Sequence, residues 1–175
     1  VARFLPSIAG YVYAQRERDV FVNLFVAGRG ELSLEGLKLG IRQETRYPWD
    51  GRVRIALEPG SPAEFALHVR VPGWARDAQV TGVDNHRIGI GATLLRINGP
   101  WSGRTTIEVS FRSAPEIREA PTGERLVAHG PLLYALPIPG RREEVRAFDV
   151  PGAERPFRDI RVHPVAEPRS LRIPA

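Results

Sequence analysis

The chain has 175 residues, with 25 Lys and Arg against 20 Asp and Glu, so its formal net charge is +5. This length is typical of one domain that buries its own hydrophobic core. The absence of cysteine excludes a disulfide framework, a thiol nucleophile, a zinc ribbon and an iron–sulfur site within this sequence. No apolar run approaches the roughly 18 residues that a membrane-spanning helix needs, so the composition argues against a membrane role and predicts a soluble domain.

The positive charge is spread evenly along the chain. Residues 1–60, 61–120 and 121–175 carry a net excess of +2, +1 and +2. Proteins that bind nucleic acid gather Arg and Lys into a patch or stripe, and this sequence has no such cluster. The charge pattern therefore argues against a nucleic-acid partner.

The first segment has apolar residues at helical spacing, at Val1, Phe4, Leu5, Ile8 and Val12. The spacing predicts a short helix that ends near Gly10. A short helix has little stability unless its apolar face is packed against another surface. A two-fold contact lets one patch cover itself, so we expect a homodimer formed through Phe4, Leu5 and Ile8.

From Asp19 onward the apolar residues recur with a period of two, which is typical of β-strands. A strand is predicted over residues 20–26, followed by strands containing Leu32 and Leu34 and then Leu39 and Ile41. The alternation changes phase at Gly36. An inserted residue would turn every later side chain to the other face, so Gly36 is predicted to lie in a turn or bulge.

The clearest alternation occurs in three later segments, residues 53–57, 65–71 and 107–111, where apolar positions are separated by polar or small ones. Further strands are predicted at residues 95–97 and 132–136. Many short strands separated by Gly and Pro turns, with no second helical segment, predict an all-β fold, an antiparallel β-sandwich.

Candidate catalytic and metal-binding groups are weakly marked. The four histidines lie 18, 43 and 34 residues apart, which is not the spacing of a metal site. Glu64 and His68 are expected to share one solvated strand face. No serine lies in a nucleophile elbow, and carboxylates such as Glu44 and Asp50 carry no mark that distinguishes them from ordinary surface groups. We predict no catalytic, cofactor-binding or metal-binding residue in this chain.

Large aromatic residues lie beside the predicted turns. Flat aromatic rings stack on sugars, so Tyr47, Trp49, Trp74 and Trp101 are candidate carbohydrate contacts. The alternative is that they close the ends of the sandwich as hydrophobic plugs. We favour the plugs and expect Trp49 and Trp74 to be mostly buried.

Several short motifs resemble, in order, the C-terminal region of the glycoside hydrolase family that contains the β-L-arabinofuranosidases. They are VARFL (1–5), GYVYA (10–14), VNLF (22–25), QET (43–45), YPWDG (47–51), FAL (65–67), RVPGWA (70–75) and GPLLY (130–134). In that family an (α/α) barrel carries the active site and a β-sandwich follows it. The resemblance implies that residues 1–16 are the remnant of the last barrel helix and that 17–138 form the sandwich. The loosened spacing and Pro-rich composition of residues 139–175 predict a tail that edges the sandwich.

The family uses a zinc-bound Cys as nucleophile and a Glu as general acid/base. No position here matches those residues, so the resemblance implies zinc only for a barrel outside this sequence. The chain starts at Val1 and contains no Met, so we expect an excerpt of a longer protein. Its expected function is non-catalytic support of the barrel; the alternatives are a carbohydrate-binding module and a self-standing interaction domain.

Overall fold

The computed structural model describes residues 5–84, 87–90, 93–119, 123, 125–134, 140–149, 151–152 and 156–164. After a 3₁₀ turn at Leu5–Ser7 and a short helix α1 at Ala9–Val12, the described elements are strands. The strands are β1 (Tyr13–Arg16), β2 (Asp19–Val22), β3 (Gly28–Leu34), β4 (Leu37–Thr45), β5 (Arg52–Pro59), β6 (Ala63–Arg70), β7 (Asp77–Thr81), β8 (Arg87–Ile90), β9 (Leu94–Trp101), β10 (Thr105–Arg112), β11 (Pro115–Glu119), β12 (Arg125–His129), β13 (Leu132–Tyr134), β14 (Gly140–Phe148) and β15 (Phe157–Pro164).

Two five-stranded sheets form the sandwich. Sheet A has the strand order β1-β2-β6-β9-β8, and sheet B has the order β3-β4-β5-β10-β7. Nearly all strand pairs are antiparallel, which confirms the predicted fold class. The exception is β2 with β6, which pair in parallel with Asp19 opposite Ala66. The chain leaves sheet A after β2, builds three strands of sheet B, and returns to sheet A in the same direction.

The core lies between the two sheets. It is built from the residues that the alternation placed on one face. In β5, β6 and β10 these are Val53, Ile55, Leu57, Phe65, Leu67, Val69, Ile107, Val109 and Phe111. Each of these side chains is at most 6% exposed. The hydrophobic burial that stabilises the fold therefore follows directly from the period-two pattern.

The turn predicted at Gly36 is present between β3 and β4. Glu35 and Gly36 both have positive φ, at 47° and 89°. Two consecutive residues with positive φ allow a tight hairpin whose twist matches that of its strands, and the strands pair from Leu34 opposite Leu37 onward. The tight turn at Glu35 and Gly36 thus explains why the alternation of apolar residues changes phase at this point.

The N-terminal helix ends at Val12, slightly beyond the end predicted near Gly10. Helix α1 covers only Ala9–Val12, and the chain becomes strand β1 at Tyr13, within the stretch assigned to a barrel helix. The reason is pairing, because Tyr13 lies opposite Val22 in sheet A. The strand predicted over residues 20–26 is shortened and ends at Val22.

The chain divides into two units, Val1–Leu133 and Tyr134–Ala175. The first unit contains the sandwich. In the second unit, β14 and β15 form an antiparallel hairpin with an irregularity between Glu144 and Arg146. Strands β11, β12 and β13 form a small three-stranded sheet. The division into a barrel remnant, a sandwich and an edging tail stays a prediction, and residues 135–139, which include the end of the predicted strand 132–136, lie outside the described ones.

No helix among the described residues is long and apolar enough to cross a membrane.

Candidate functional site

Trp49 lies on the loop that joins β4 to β5, and 75% of its surface is exposed. The expectation that Trp49 is mostly buried is therefore wrong. Its backbone N–H donates to the carbonyl oxygen of Arg46 at 2.9 Å, which closes a turn that carries the indole outward. An exposed indole offers a flat face on which a ligand can stack, so this residue marks a candidate contact surface.

Hydrogen bonds hold both ends of the Trp49 loop. The Thr45 hydroxyl donates to the carbonyl oxygen of Arg52 at 2.7 Å and accepts from the backbone N–H of Tyr47 at 3.0 Å. The backbone N–H of Arg52 donates to Asp50 Oδ1 at 2.9 Å. This last bond is the main reason why the pKa of the Asp50 carboxyl lies below its ordinary value. The loop is thus closed by its own residues.

A backbone hydrogen bond joins Gly51 of the loop to β10 near the end of that strand. Its carbonyl oxygen accepts a hydrogen bond from the backbone N–H of Phe111 at 3.0 Å. A Cβ atom at position 51 would lie only 2.2 Å from the carbonyl oxygen of Phe111. Only glycine permits this close approach of two backbones.

Tyr47 and Trp74 pack inward at the end of the sandwich. Their rings stack with centroids 6.3 Å apart, and Tyr47 contacts the edge of the Phe25 ring at 5.4 Å. Trp74 meets Phe111 at 6.1 Å in an edge-on contact. Both are partly buried and pack against the core, so the structure places them as plugs at the sandwich end.

Trp101 is fully buried. Its Nε1–H donates to the carbonyl oxygen of Phe65 at 2.9 Å, and its ring stacks on that of Phe65 with centroids 5.2 Å apart. The indole belongs to the core and presents no face to solvent. Of the four aromatic residues that the sequence singled out for carbohydrate, only Trp49 is mostly exposed.

A shallow depression of about 290 Å³ lies beside the Trp49 loop, on the outer face of sheet B. Its charged lining consists of three arginines and three carboxylates: Arg46, Arg52, Arg54, Glu44, Asp50 and Glu108. Arg54 joins two of these carboxylates, at 3.5 Å from Glu108 and 4.0 Å from Glu44. The depression therefore presents both strong donors and strong acceptors, and two of its lining residues, Arg46 and Asp50, belong to the Trp49 loop. The sequence named Glu44 and Asp50 singly but could not bring the six groups together, because they come from β4, β5, β10 and the loop between β4 and β5.

Glu64 and His68 lie on the outer face of sheet A, as the alternation predicts. His68 is only 8% exposed, so the expectation that this strand face is solvated is wrong at this residue. Its ring stacks on Phe21 with centroids 4.5 Å apart, and Nε2 lies 3.3 Å from Asp19 Oδ2. A nearby depression of about 590 Å³ is lined by Glu64 and Asp19, among others. Within the described part of the chain, no group of three or more His, Asp or Glu residues could hold a metal ion.

The predicted dimer surface is described only in part. Val1 and Phe4 lie outside the described residues, as does the side chain of Leu5. Ile8 is half-buried and borders an apolar depression of about 450 Å³ that Val12 and Val26 also line. The homodimer through Phe4, Leu5 and Ile8 stays a prediction.

Comparison with known proteins identifies relatives among the arabinofuranosidases. The chain is 27% identical over 148 residues to a non-reducing end β-L-arabinofuranosidase of Bifidobacterium longum subsp. longum, a match covering 77% of this chain and 22% of that protein. The structure superimposes on a GH127 β-L-arabinofuranosidase from Geobacillus stearothermophilus T6 with a TM-score of 0.67 and 26% identity, covering 93% of this chain and 33% of the other.

A second solved structure, a GH127 β-arabinofuranosidase, gives a TM-score of 0.63 at 25% identity, covering 92% of this chain and 31% of the other. The chain thus spans between about a fifth and a third of the length of these relatives. The sequence profile described as "Beta-L-arabinofuranosidase, GH127 middle domain" matches residues 19–113, more than half of the chain. The chain therefore belongs to the GH127 β-L-arabinofuranosidase middle-domain family.

Proposed function

We propose that this chain is the non-catalytic β-sandwich portion of a β-L-arabinofuranosidase-like glycoside hydrolase and that it supports the catalytic barrel of that enzyme. The observation that carries the proposal is the match of residues 19–113 to the middle domain of the family, rather than to a catalytic region. The partner is then the barrel of the same protein. The domain supplies a rigid, closed core against which a barrel can rest.

The electrostatics of two carboxylates, Asp50 and Asp77, favour a structural role for these two residues. A general acid in glycoside hydrolysis needs a raised carboxyl pKa, so that it carries a proton at neutral pH. Asp50 and Asp77 instead have lowered pKa values. For Asp50 the main cause is the backbone N–H of Arg52, and for Asp77 it is the hydrogen bond from the Arg112 side chain. Both groups hold loops and strands in place as anions.

The residues present do not fit the zinc–thiolate chemistry that the family resemblance implies. A thiolate ligand requires Cys, and the chain has none. We therefore assign no step of the reaction to residues of this chain.

The proposal is tested by comparing the chain alone with the longer reading frame that contains it. We expect no turnover of a chromogenic β-L-arabinofuranoside by the pure chain and measurable turnover by the longer product. Deleting residues 1–175 from that product should lower its thermal stability or its solubility, because the barrel face would lose its cover. Turnover by the chain alone, lost when one of its carboxylates is replaced, would contradict the proposal.

A further inference from the structure

We propose that Trp49 and the charged depression beside it form a binding site for a neutral saccharide. It combines one exposed aromatic face with a fixed set of hydrogen-bonding groups on the outer face of sheet B.

The hydrogen bonds of the loop hold the Trp49 backbone away from the core, so that the indole faces water. The hydrophobic effect favours folding such a ring back onto the protein. The bonds from Thr45 to Arg52 and from Arg52 to Asp50, and the closure of Gly51 onto Phe111, oppose that movement. Because these bonds already fix the backbone of the loop, little backbone entropy is lost when a ligand stacks on the indole.

The charged side chains that line the depression balance one another. The depression contains three guanidinium groups and three carboxylates, so its formal charge sums to zero. Neither an anion nor a cation is favoured over a neutral molecule there. Hydroxyl groups both donate and accept hydrogen bonds, and they can therefore pair with carboxylates and guanidinium groups alike. A sugar ring adds an apolar C–H face that suits the indole.

The surroundings of Trp49 differ from the centre of a protein–protein interface. An aromatic anchor in a protein interface is surrounded by well-packed contacts that exclude water, and charged residues are depleted at its centre. The side chains that flank Trp49 in the chain and line the adjoining depression are instead polar or charged, among them Arg46, Asp50 and Arg52. This composition favours a small polyhydroxylated ligand.

The test is a titration of the 175-residue chain with a neutral L-arabinose trisaccharide, a probe whose sugar is chosen from the proposed function. We expect saturable binding and a blue shift of tryptophan fluorescence, since stacking removes Trp49 from water. Trp101 is fully buried and contributes a constant background. An acidic trisaccharide, trigalacturonate, should bind no more tightly than the neutral probe.

Variants are compared by calorimetric titration, which does not depend on the fluorophore. Trp49→Ala should weaken binding about tenfold, whereas Trp49→Phe should retain most of the affinity because it keeps an aromatic face. Glu108→Gln should weaken binding several-fold. The matched control is Glu58→Gln, because Glu58 pairs with Arg104 at 3.3 Å on the same sheet face but near the other end of β5.

Melting temperatures of all variants establish that each one folds. The proposal is overturned if the neutral trisaccharide shows no saturable binding, if Trp49→Ala binds as well as the parent chain, or if trigalacturonate binds much more tightly. It is also overturned if Trp49→Ala leaves the titration unchanged but weakens association with a separately expressed barrel. Turnover by the chain alone would instead contradict the proposed function, so the two failures are distinguishable.

Discussion

The side-chain amide of Gln43 donates a hydrogen bond from Nε2 to the Tyr13 hydroxyl at 3.1 Å. The same nitrogen lies 3.1 Å from the carbonyl oxygen of Leu24, to which it also donates. Gln43 belongs to β4 of sheet B and is 1% exposed, whereas Tyr13 begins β1 of sheet A. One buried polar side chain therefore connects the two sheets near the end of the sandwich.

Replacing Gln43 with Leu should destabilise the fold by about 1–3 kcal/mol, because the Leu24 carbonyl and the Tyr13 hydroxyl would lose their shared donor inside the protein. Urea unfolding measures the effect. The matched control is Gln79→Leu, since Gln79 is an exposed residue of β7 whose side-chain amide donates to Asp77. Equal urea midpoints of unfolding for the two variants would show that the hydrogen bonds of Gln43 contribute nothing to the stability of the fold.

Tyr13 should make stability depend on pH in the alkaline range. Burial raises the pKa of Tyr13 above its ordinary value of 10.0, and the bond from Gln43 opposes this shift. The unfolded chain therefore loses the phenolic proton first as the pH rises through 10.0, and stability falls from there until the folded pKa is reached. Below that range the group adds no pH dependence.

The alkaline effect is measured by urea unfolding at about pH 9 and about pH 11, on either side of the ordinary tyrosine pKa. Tyr13→Phe should lose less stability between the two conditions than the parent chain does. Tyr11→Phe, a change at an exposed tyrosine, should behave like the parent. An unchanged pH dependence in Tyr13→Phe would refute the assignment.

Gly51→Ala should be among the more damaging single changes in the sandwich. The added Cβ would lie 2.2 Å from the carbonyl oxygen of Phe111, so the loop or β10 must move. We expect a loss of about 1–3 kcal/mol. Gly28→Ala is the control, because a Cβ there meets no atom within 4 Å. The melting temperatures of both variants measure the difference. A Gly51→Ala chain as stable as Gly28→Ala would contradict the close approach of residue 51 to the Phe111 carbonyl oxygen.

The two most contrasting tryptophans should differ in their effect on stability. Trp101→Ala removes a fully buried ring and its hydrogen bond to Phe65 and should cost about 3–5 kcal/mol. Trp49→Ala removes a mostly exposed ring and should change stability by no more than about 0.5 kcal/mol. Chemical denaturation gives both values. A large loss for Trp49→Ala would mean that the indole packs against the protein in solution.

The homodimer expected from the N-terminal apolar stripe is tested by light scattering. The double change Phe4→Asp with Ile8→Asp should convert a dimer into a monomer, because charged groups would have to be buried at the two-fold contact. A parent chain that is already monomeric at high concentration would contradict this prediction.

The resemblance motifs were sufficient to predict the family, and the alternation of apolar residues was sufficient to predict most of the buried core. Along β5, β6 and β10 every inward residue named from the pattern is buried, because side chains of a strand point alternately to opposite faces. The turn at Gly36 was also predictable, since a change of phase in an alternating pattern requires a local break. These are properties of short stretches, which the order of residues determines by itself.

Tertiary structure alone decided which aromatic residues meet solvent. Trp49, Trp74 and Trp101 all lie beside turn residues, yet one is exposed, one partly buried and one fully buried. It also decided the parallel pairing of β2 with β6 and the bridge from Gln43 to Tyr13. Each of these features depends on strands far apart in the chain. A local pattern specifies the face on which a side chain lies, but the neighbour that covers it is supplied by the packing of distant segments.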